Sequence, residues 1–372
     1  MTRGSASRDD GGEVPADHGI QSEKRPDLPR QTGAHLSTRK TIIGLLLTLA
    51  VLAIVFVGII PKIGSYSEAW QAIRAIPVGL IVLLVVSVVV MIVVYVWPYL
   101  AAIPGIRFGP AFVVRQTSFT FSNAVPAGGA VGLAVQYMML GSYRVTPAAA
   151  TAGIAVTSVW SIFITLGLPI LGVLALLVAG QLDQSFVTAG LVGLGAIIAS
   201  VIVFWLILRS EASARRVARL IQRIVNPLAR RFHRQIDVTA AVLHFREQVV
   251  DVVRDRWIWI TVSNLLVVLA QYLVLFIAIR SVGGGGAAEF GFLAGFGALA
   301  ISRLASMIPA TPGGLGTVDA ALIGLLIAFG LDKDIAVAAD LVWRAASFVP
   351  QVVVGIVTFV WWRARQQRLG SV

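Results

Sequence analysis

The chain has 372 residues, of which 57% are hydrophobic and only 13% are charged, and its mean hydropathy is +0.86. Soluble domains carry about twice this share of charged residues, so the composition predicts an integral membrane protein with several spans. The absence of cysteine excludes disulfides, cysteine-ligated zinc and thiol catalysis. The net charge of +12 comes mainly from basic residues that flank apolar segments, where they orient the chain and attract anionic lipid. We therefore expect no nucleic-acid partner.

Residues 1–38 are polar and show no apolar periodicity, which predicts a disordered cytoplasmic tail. The membrane domain is predicted over residues 39–365, as an all-α polytopic bundle of about six to eight transmembrane helices. Its first span is Thr41 to Ile60, which is long enough to cross a hydrocarbon core of about 30 Å. Basic residues directly before this span place the N-terminus inside, and residues 366–372 form a second cytoplasmic tail.

The first interruption of the apolar pattern follows the second span, Val78 to Leu100. Residues 112–143 are too polar for an ordinary lipid-facing span, because they include Arg115 and the motif Asn123-Ala-Val-Pro-Ala-Gly-Gly129. Broken backbone at membrane depth is tolerated only where it is packed in protein or lines a wet cavity. The segment therefore predicts a re-entrant pair of half-length helices that enters from the cytoplasm, with Asn123, Gly128 and Gly129 at its break.

The remaining apolar runs predict four further spans or span-like segments. The third and fourth spans are Ala148 to Val178 and Phe186 to Leu208, the fifth is Trp257 to Ile279, and the last is roughly Ala336 to Trp362.

Residues 209–256 are the only sizeable polar insertion, and their many arginines predict a cytoplasmic position. Apolar residues recur there at helical spacing in two stretches. Two amphipathic helices with a basic face would fit a hairpin that lies on the inner leaflet. A solvated orientation signal without lipid specificity is an equal alternative.

The second interruption lies between the apolar runs Phe290–Ile308 and Ala320–Leu331. Both a double crossing and a re-entrant hairpin fit this region. The N–H groups that begin the next helix would give a positive end suited to an anion. The residues of the break that we assign to the candidate site are Pro312, Gly313, Gly314 and Gly316.

The two interruptions resemble each other. Pro126-Ala-Gly-Gly-Ala-Val-Gly132 and Pro309-Ala-Thr-Pro-Gly-Gly-Leu-Gly316 share a Pro-Ala, a glycine pair and a further glycine, and each follows a half-helix with an arginine. Paired broken segments in corresponding positions of two halves predict an inverted repeat with a substrate site near the midplane. Two unrelated glycine-rich helix contacts are the alternative interpretation.

Four ionisable residues near the second interruption are expensive at membrane depth, at about 2.5–3.5 kcal/mol each. Asp340 and Arg344 lie one helical turn apart and could neutralise each other. Arg303 could pair with Asp319, or it could leave its guanidinium free for a phosphate.

Enzyme motifs are missing from the sequence. The glycines at 313–316 are not a P-loop, because no Gly-Lys-Ser/Thr follows them. The four histidines are not at metal-ligand spacing, and the carboxylates form no acid/base pair that can be placed together. We therefore expect no metal, no cofactor and no catalytic activity, with transport driven by a gradient or proceeding as passive scrambling.

The motif Pro312-Gly-Gly-Leu-Gly-Thr-Val-Asp-Ala-Ala-Leu322, with Arg303 upstream, resembles the signature of the flippase-like family of the lysylphosphatidylglycerol synthase transmembrane region. Asn123-Ala-Val-Pro-Ala-Gly-Gly-Ala130 is similar to its other recurrent element. The resemblance extends over about residues 40 to 365. Where the family commonly has a glutamate, this chain has Asp319, which keeps the charge and shortens its reach.

The resemblance implies an integral inner-membrane protein that translocates lipids or lipid-linked head groups between leaflets. Bifunctional members carry a soluble aminoacyl transferase domain after the membrane part, and a chain that stops at Val372 is expected to lack synthase activity. We expect an anionic phospholipid as the ligand, with Arg303 on its head group and Asp319 orienting it or carrying a coupling proton.

Two alternatives stay open at this point. The chain could be a membrane scaffold that docks a separate lipid-modifying enzyme through residues 209–256, or a lipid transferase that uses Asp319 or Asp340. The candidate substrate site comprises Arg115, Asn123, Gly128, Gly129, Arg303, Pro312, Gly313, Gly314, Gly316, Asp319, Asp340 and Arg344.

Overall fold

The computed structural model describes most of the chain from residue 71 onward. Within the described part there are eleven α-helices, one 3₁₀ helix and no strand, which confirms the all-α prediction. The predicted tail 1–38 and the first predicted span lie outside the described residues. The described residues are 71, 73–124, 128–180, 184–231, 238–282, 289–307 and 314–370.

The first half of the fold contains two long spans with a broken helix pair between them. Its helices are α1 (Val78–Val94), α2 (Trp97–Ala102), α3 (Phe108–Ala124), α4 (Gly128–Ser142) and α5 (Pro147–Val178). The α1–α2 segment and α5 are long and apolar enough to cross a membrane. Helices α3 and α4 have 17 and 15 residues, fewer than the about 20 that a crossing needs, and they pack against each other. This arrangement confirms the predicted pair of half-length helices.

The second half repeats this order of elements. It contains α8 (Val238–Val282), α9 (Phe292–Ser302), a 3₁₀ helix (Arg303–Met307), α10 (Thr317–Ala328) and α11 (Lys333–Gly370). Helices α9 and α10 have 11 and 12 residues and pack against each other. Each is too short to cross about 30 Å, so their lengths fit a re-entrant hairpin and not a double crossing.

The two halves pack in a reciprocal way. Helix α3, the first half-helix of one pair, packs on α11, and α9, its counterpart, packs on α5. The spans α1 and α8 also pack on each other. Between the halves lies α6 (Gln184–Arg209), whose 26 residues extend about 39 Å and are long enough to cross. If α1, α5 and α6 each cross once, α8 starts on the side where α1 ends. The two helices then run in opposite directions, as an inverted repeat requires.

The insertion at 209–256 differs from the prediction. After α7 (Glu211–Arg231), the second amphipathic stretch and the fifth span form one 45-residue helix, α8. The sequence of α8 contains neither glycine nor proline, so nothing interrupts the helical ladder where the polar part meets the apolar part. Of α8, residues Val252–Val282 are long and apolar enough to cross a membrane.

The apolar stripe of α7 is partly covered by protein, because Val217 is buried while Leu220 is exposed. Ala214, Val217 and Ala218 are buried, and α7 packs on α6 and α8. Helix α7 therefore packs beside the polar first part of α8, and the position of its exposed face on the inner leaflet stays a prediction.

Candidate functional site

A polar cavity of about 340 Å³ lies between α2, α3, α4, α5, α8 and the 3₁₀ helix, beside Tyr95, which directly follows α1. Arg115 and Arg303, the two arginines of the broken pairs, both line it. Polar side chains in an apolar helix bundle are tolerated where they face water or one another, so the cavity is the wet region that the broken helices predict. The other polar lining residues are Tyr95, Tyr99, Gln136, Thr157, Ser158, Ser161, Thr165, Asn264 and Gln271.

A smaller cavity of about 110 Å³ adjoins the first one. The two cavities share Tyr95, Gln271 and Arg303, so Arg303 faces both of them. The smaller cavity also reaches Asn123 at the first break and Arg344 on α11. The structure thus brings together Arg115, Asn123, Arg303 and Arg344, four of the residues that the sequence proposed for the site.

Arg115 is buried on α3 and is held by neutral partners. Its Nη1 donates hydrogen bonds to Gln351 Oε1 at 2.7 Å and to Gln116 Oε1 at 3.1 Å. Its guanidinium carbon lies 3.9 Å from the ring centre of Tyr95 and 4.7 Å from that of Phe119. These contacts orient the guanidinium but leave its positive charge uncompensated.

Arg303 begins the 3₁₀ helix at the end of α9 and is partly buried. Within the described part of the chain, neither Arg303 nor Arg115 forms an ion pair. Of the two alternatives for Arg303, a pair with Asp319 is not found, whereas a guanidinium directed at the cavities agrees with the structure.

Asp319 pairs with Arg344 instead. The Arg344 Nε donates to Asp319 Oδ1 at 2.6 Å, and Nη2 lies 2.5 Å from the same oxygen. The expected neutralisation of Arg344 by Asp340 is thus also wrong, although these two residues are one turn apart on α11. Docking of α10 against α11 brings the Asp319 carboxylate to the Arg344 guanidinium. Arg344 therefore pairs with Asp319 and not with Asp340.

Asp340 stays buried without a partner. Its relative exposure is 1%, and neither carboxyl oxygen has a hydrogen bond among the described residues.

The glycines of the second break shape the backbone around Asp319. Gly314 and Gly316 have φ of 67° and 87°, in the left-handed region that side chains rarely adopt. The Gly316 N–H donates to Asp319 Oδ2, so the chain's own carboxylate occupies this N–H at the start of α10. We expected the positive end of α10 to bind a substrate anion, but Asp319 already accepts a hydrogen bond from one of its N–H groups. Pro312 and Gly313 lie outside the described residues.

The two glycines of the first break differ in their surroundings. A Cβ on Gly128 would lie 2.4 Å from the carbonyl oxygens of both Phe121 and Ser122, so α4 approaches α3 too closely for any side chain. Gly129 has open space around it and lines neither polar cavity. The structure supports the helix-contact interpretation for Gly128, whereas Gly129 contacts neither a helix nor a polar cavity.

Sequence reasoning missed the amides of the site. Gln351 accepts from Arg115 and also donates to Ser347 O, and Gln271 lines both cavities. Each is an isolated amide in an otherwise apolar span, which is the signal that could have identified it.

The comparisons with known proteins agree with this architecture. A comparison with curated proteins gives no match. The model of the family described as "Lysylphosphatidylglycerol synthase TM region" matches residues 41–355, which include both broken helix pairs and every arginine of the cavity. This chain is therefore an integral membrane protein that belongs to the lysylphosphatidylglycerol synthase TM region family.

Proposed function

We propose that this protein moves an anionic, phosphate-bearing lipid head group between the leaflets of a cell membrane, and that the head group passes through the polar cavity. The observation that carries the proposal is the pair Arg115 and Arg303. Both arginines line one cavity within an apolar bundle, and neither has a carboxylate partner among the described residues.

The charges of the site favour an anionic ligand. Arg115, Arg303 and Arg344 bring three positive charges, against the two carboxyl groups of Asp319 and Asp340. An excess positive charge at membrane depth is costly unless an anion or water balances it. A phosphate suits the site, because a guanidinium fork can donate two hydrogen bonds to it.

An apolar cavity next to the polar one favours an amphiphile as the substrate. This cavity of about 330 Å³ is lined by Trp160, Phe163, Phe204 and Leu265, and it shares Ile164 with the polar cavity. A head group in the polar cavity would therefore have an apolar surface beside it for an acyl chain.

The arginine distribution orients the proposed transporter. Arginines concentrate on α7 and at the end of α11, where Arg363, Arg365 and Arg368 follow the last span. By the positive-inside rule these regions, and with them the C-terminus, lie in the cytoplasm. An even number of crossings, counting the span at 41–60, puts the N-terminus on the same side.

The test is lipid translocation in reconstituted vesicles with Arg303→Ala. Hydrogen bonds to a charged group contribute about 1.5–3 kcal/mol, so we expect translocation of an anionic phospholipid to fall by about tenfold to a hundredfold. Arg303→Lys should retain part of the rate, because it keeps the charge without the fork. The matched control is Arg107→Ala, at an exposed position before α3. Unchanged translocation by Arg303→Ala would contradict the assignment.

A scaffold that docks a lipid-modifying enzyme is the second candidate, because α7 exposes Arg215, Arg216 and Arg219 beside its buried stripe. Replacing these three arginines by glutamine separates the two functions. A transporter keeps its translocation rate in vesicles, whereas a scaffold loses co-purification with its partner and shows no translocation before or after the change.

A further inference from the structure

The Asp340 carboxyl is buried, and it forms no ion pair among the described residues. It is 1% exposed, and both of its oxygens lack a hydrogen bond among the described residues. The Asp319 carboxylate, from the neighbouring helix α10, binds Arg344, which lies one helical turn from Asp340 on α11, so the two carboxyl groups belong to the same buried cluster. Two carboxyl groups can form a hydrogen bond only if one of them holds a proton.

Arg344, one helical turn from Asp340, already pairs with Asp319. Arg344 directs its Nε and Nη2 at Asp319 Oδ1, and Gly316 N–H donates to Oδ2 of the same carboxylate. The Asp319 carboxylate thus has three nitrogen contacts. Asp340 has none of them, although it belongs to the same helix as Arg344.

Among the described residues, no cation of the other elements that pack on α11 pairs with Asp340. Helix α3 carries Arg115, which donates to Gln351, and α1 is followed by Tyr95, whose ring lies under that guanidinium. Helix α8 carries Arg280, which donates to Phe290 O. Arg303 faces the two cavities.

We propose that Asp319 and Asp340 share one proton at membrane depth, with Asp340 as the carboxylic acid and Asp319 as the acceptor, and that this carboxyl pair couples transport to a proton gradient. The arrangement resembles two carboxylates in one site, which hold a single proton because both cannot ionise together at low dielectric. The coupling to a proton gradient rests on the proposed lipid transport, whereas the sharing of a proton by the two carboxyl groups is independent of it.

The position of Arg344 links phosphate entry to proton uptake. Arg344 lines the smaller cavity together with Arg303, so a phosphate that enters can compete with Asp319 for the Arg344 N–H groups. When Arg344 turns to the phosphate, Asp319 loses its counterion and takes up a second proton from water. One negative charge and one proton then enter the site together, and both leave when Arg344 returns to Asp319.

Infrared difference spectroscopy of the purified protein tests the shared proton. We expect wild type at neutral pH to show a carboxylic acid C=O band that Asp340→Asn removes and that Asp340→Glu shifts. The matched control is Asp332→Asn, at an exposed position before the same helix, where asparagine can still accept from Asp334 N–H. A band that persists in a folded Asp340→Asn variant, or no such band in wild type, overturns the shared proton.

Translocation in vesicles with an imposed pH gradient tests the coupling. We expect the gradient to accelerate wild type and Asp332→Asn by about tenfold, and to leave Asp340→Asn unaffected. Equal acceleration of Asp340→Asn by the gradient overturns the coupling. If wild type itself moves no lipid, the proposed function fails, whereas the infrared band still decides the shared proton. Acceleration by a sodium gradient alone would also contradict a proton.

Discussion

The ion pair between Asp319 and Arg344 makes a quantitative prediction about stability. Asp319→Asn removes the negative charge but keeps nearly the same shape, and an asparagine oxygen can still accept from Gly316 N–H. The change therefore isolates the charge. Asp319 is 0% exposed and the Arg344 side chain is 18% exposed, so the substitution leaves a mostly buried guanidinium without its partner.

Removing one member of a buried ion pair costs about 3–5 kcal/mol. Because Arg344 also lines the smaller cavity, water can solvate part of the freed charge, and we expect the lower end, about 3 kcal/mol. At about 2 °C per kcal/mol for a long chain, the apparent Tm should fall by roughly 6 °C.

Thermal unfolding in detergent at one fixed scan rate is the appropriate assay, because membrane proteins often unfold irreversibly and the apparent Tm then depends on the rate. Arg344→Gln and the double variant complete a mutant cycle. The double variant leaves no unpaired charge, so it should be more stable than the sum of the single changes implies, by about 0.5–3 kcal/mol. An Asp319→Asn protein with wild-type Tm, or strictly additive changes, would refute the reasoning.

Two further predictions concern α11. Gln351→Glu places a carboxylate 2.7 Å from Arg115, which would neutralise this arginine and lower translocation of an anionic lipid by about tenfold in vesicles, while a zwitterionic lipid is affected less. Gly355→Val should cost about 1–3 kcal/mol by overpacking, because a Cβ there would lie 2.4 Å from the backbone oxygen of Gln116, and the thermal assay would show it. Gly324→Ala, where nothing lies within 4 Å, is the control for the second change. The first prediction fails if Gln351→Glu moves the anionic lipid at the wild-type rate, and the second fails if Gly355→Val has the same Tm as Gly324→Ala.

The helices and the breaks were predictable because their signals are local. A run of apolar residues reports a span, and a proline–glycine cluster within apolar sequence reports a break, whatever the rest of the chain does. The arginines of the cavity were predictable for a related reason. An isolated guanidinium such as Arg115 or Arg303 in a membrane segment has a high desolvation cost and therefore marks a wet, functional region.

Some local signals were misleading. The polar-to-apolar change near residue 257 suggested that a cytoplasmic helix ends there, but α8 continues because composition changes without any helix-breaking residue. The amphipathic stripe of α7 suggested a lipid surface, but a stripe reports only that a helix packs against something apolar. Here the apolar partners are α6 and α8.

By itself, the amino-acid sequence determined the membrane class, the order of spans and breaks, and the arginines at the site, because each of these depends on residue type and spacing along one segment. The tertiary structure alone decided which charges meet. Asp340 and Arg344 are four residues apart and could have paired, yet Arg344 pairs with Asp319, 25 residues away. The docking of α10 on α11 selects that partner, and it leaves Asp340 buried without a hydrogen bond among the described residues. Spacing along a helix tells which residues can meet, whereas the packing of helices decides which of them do.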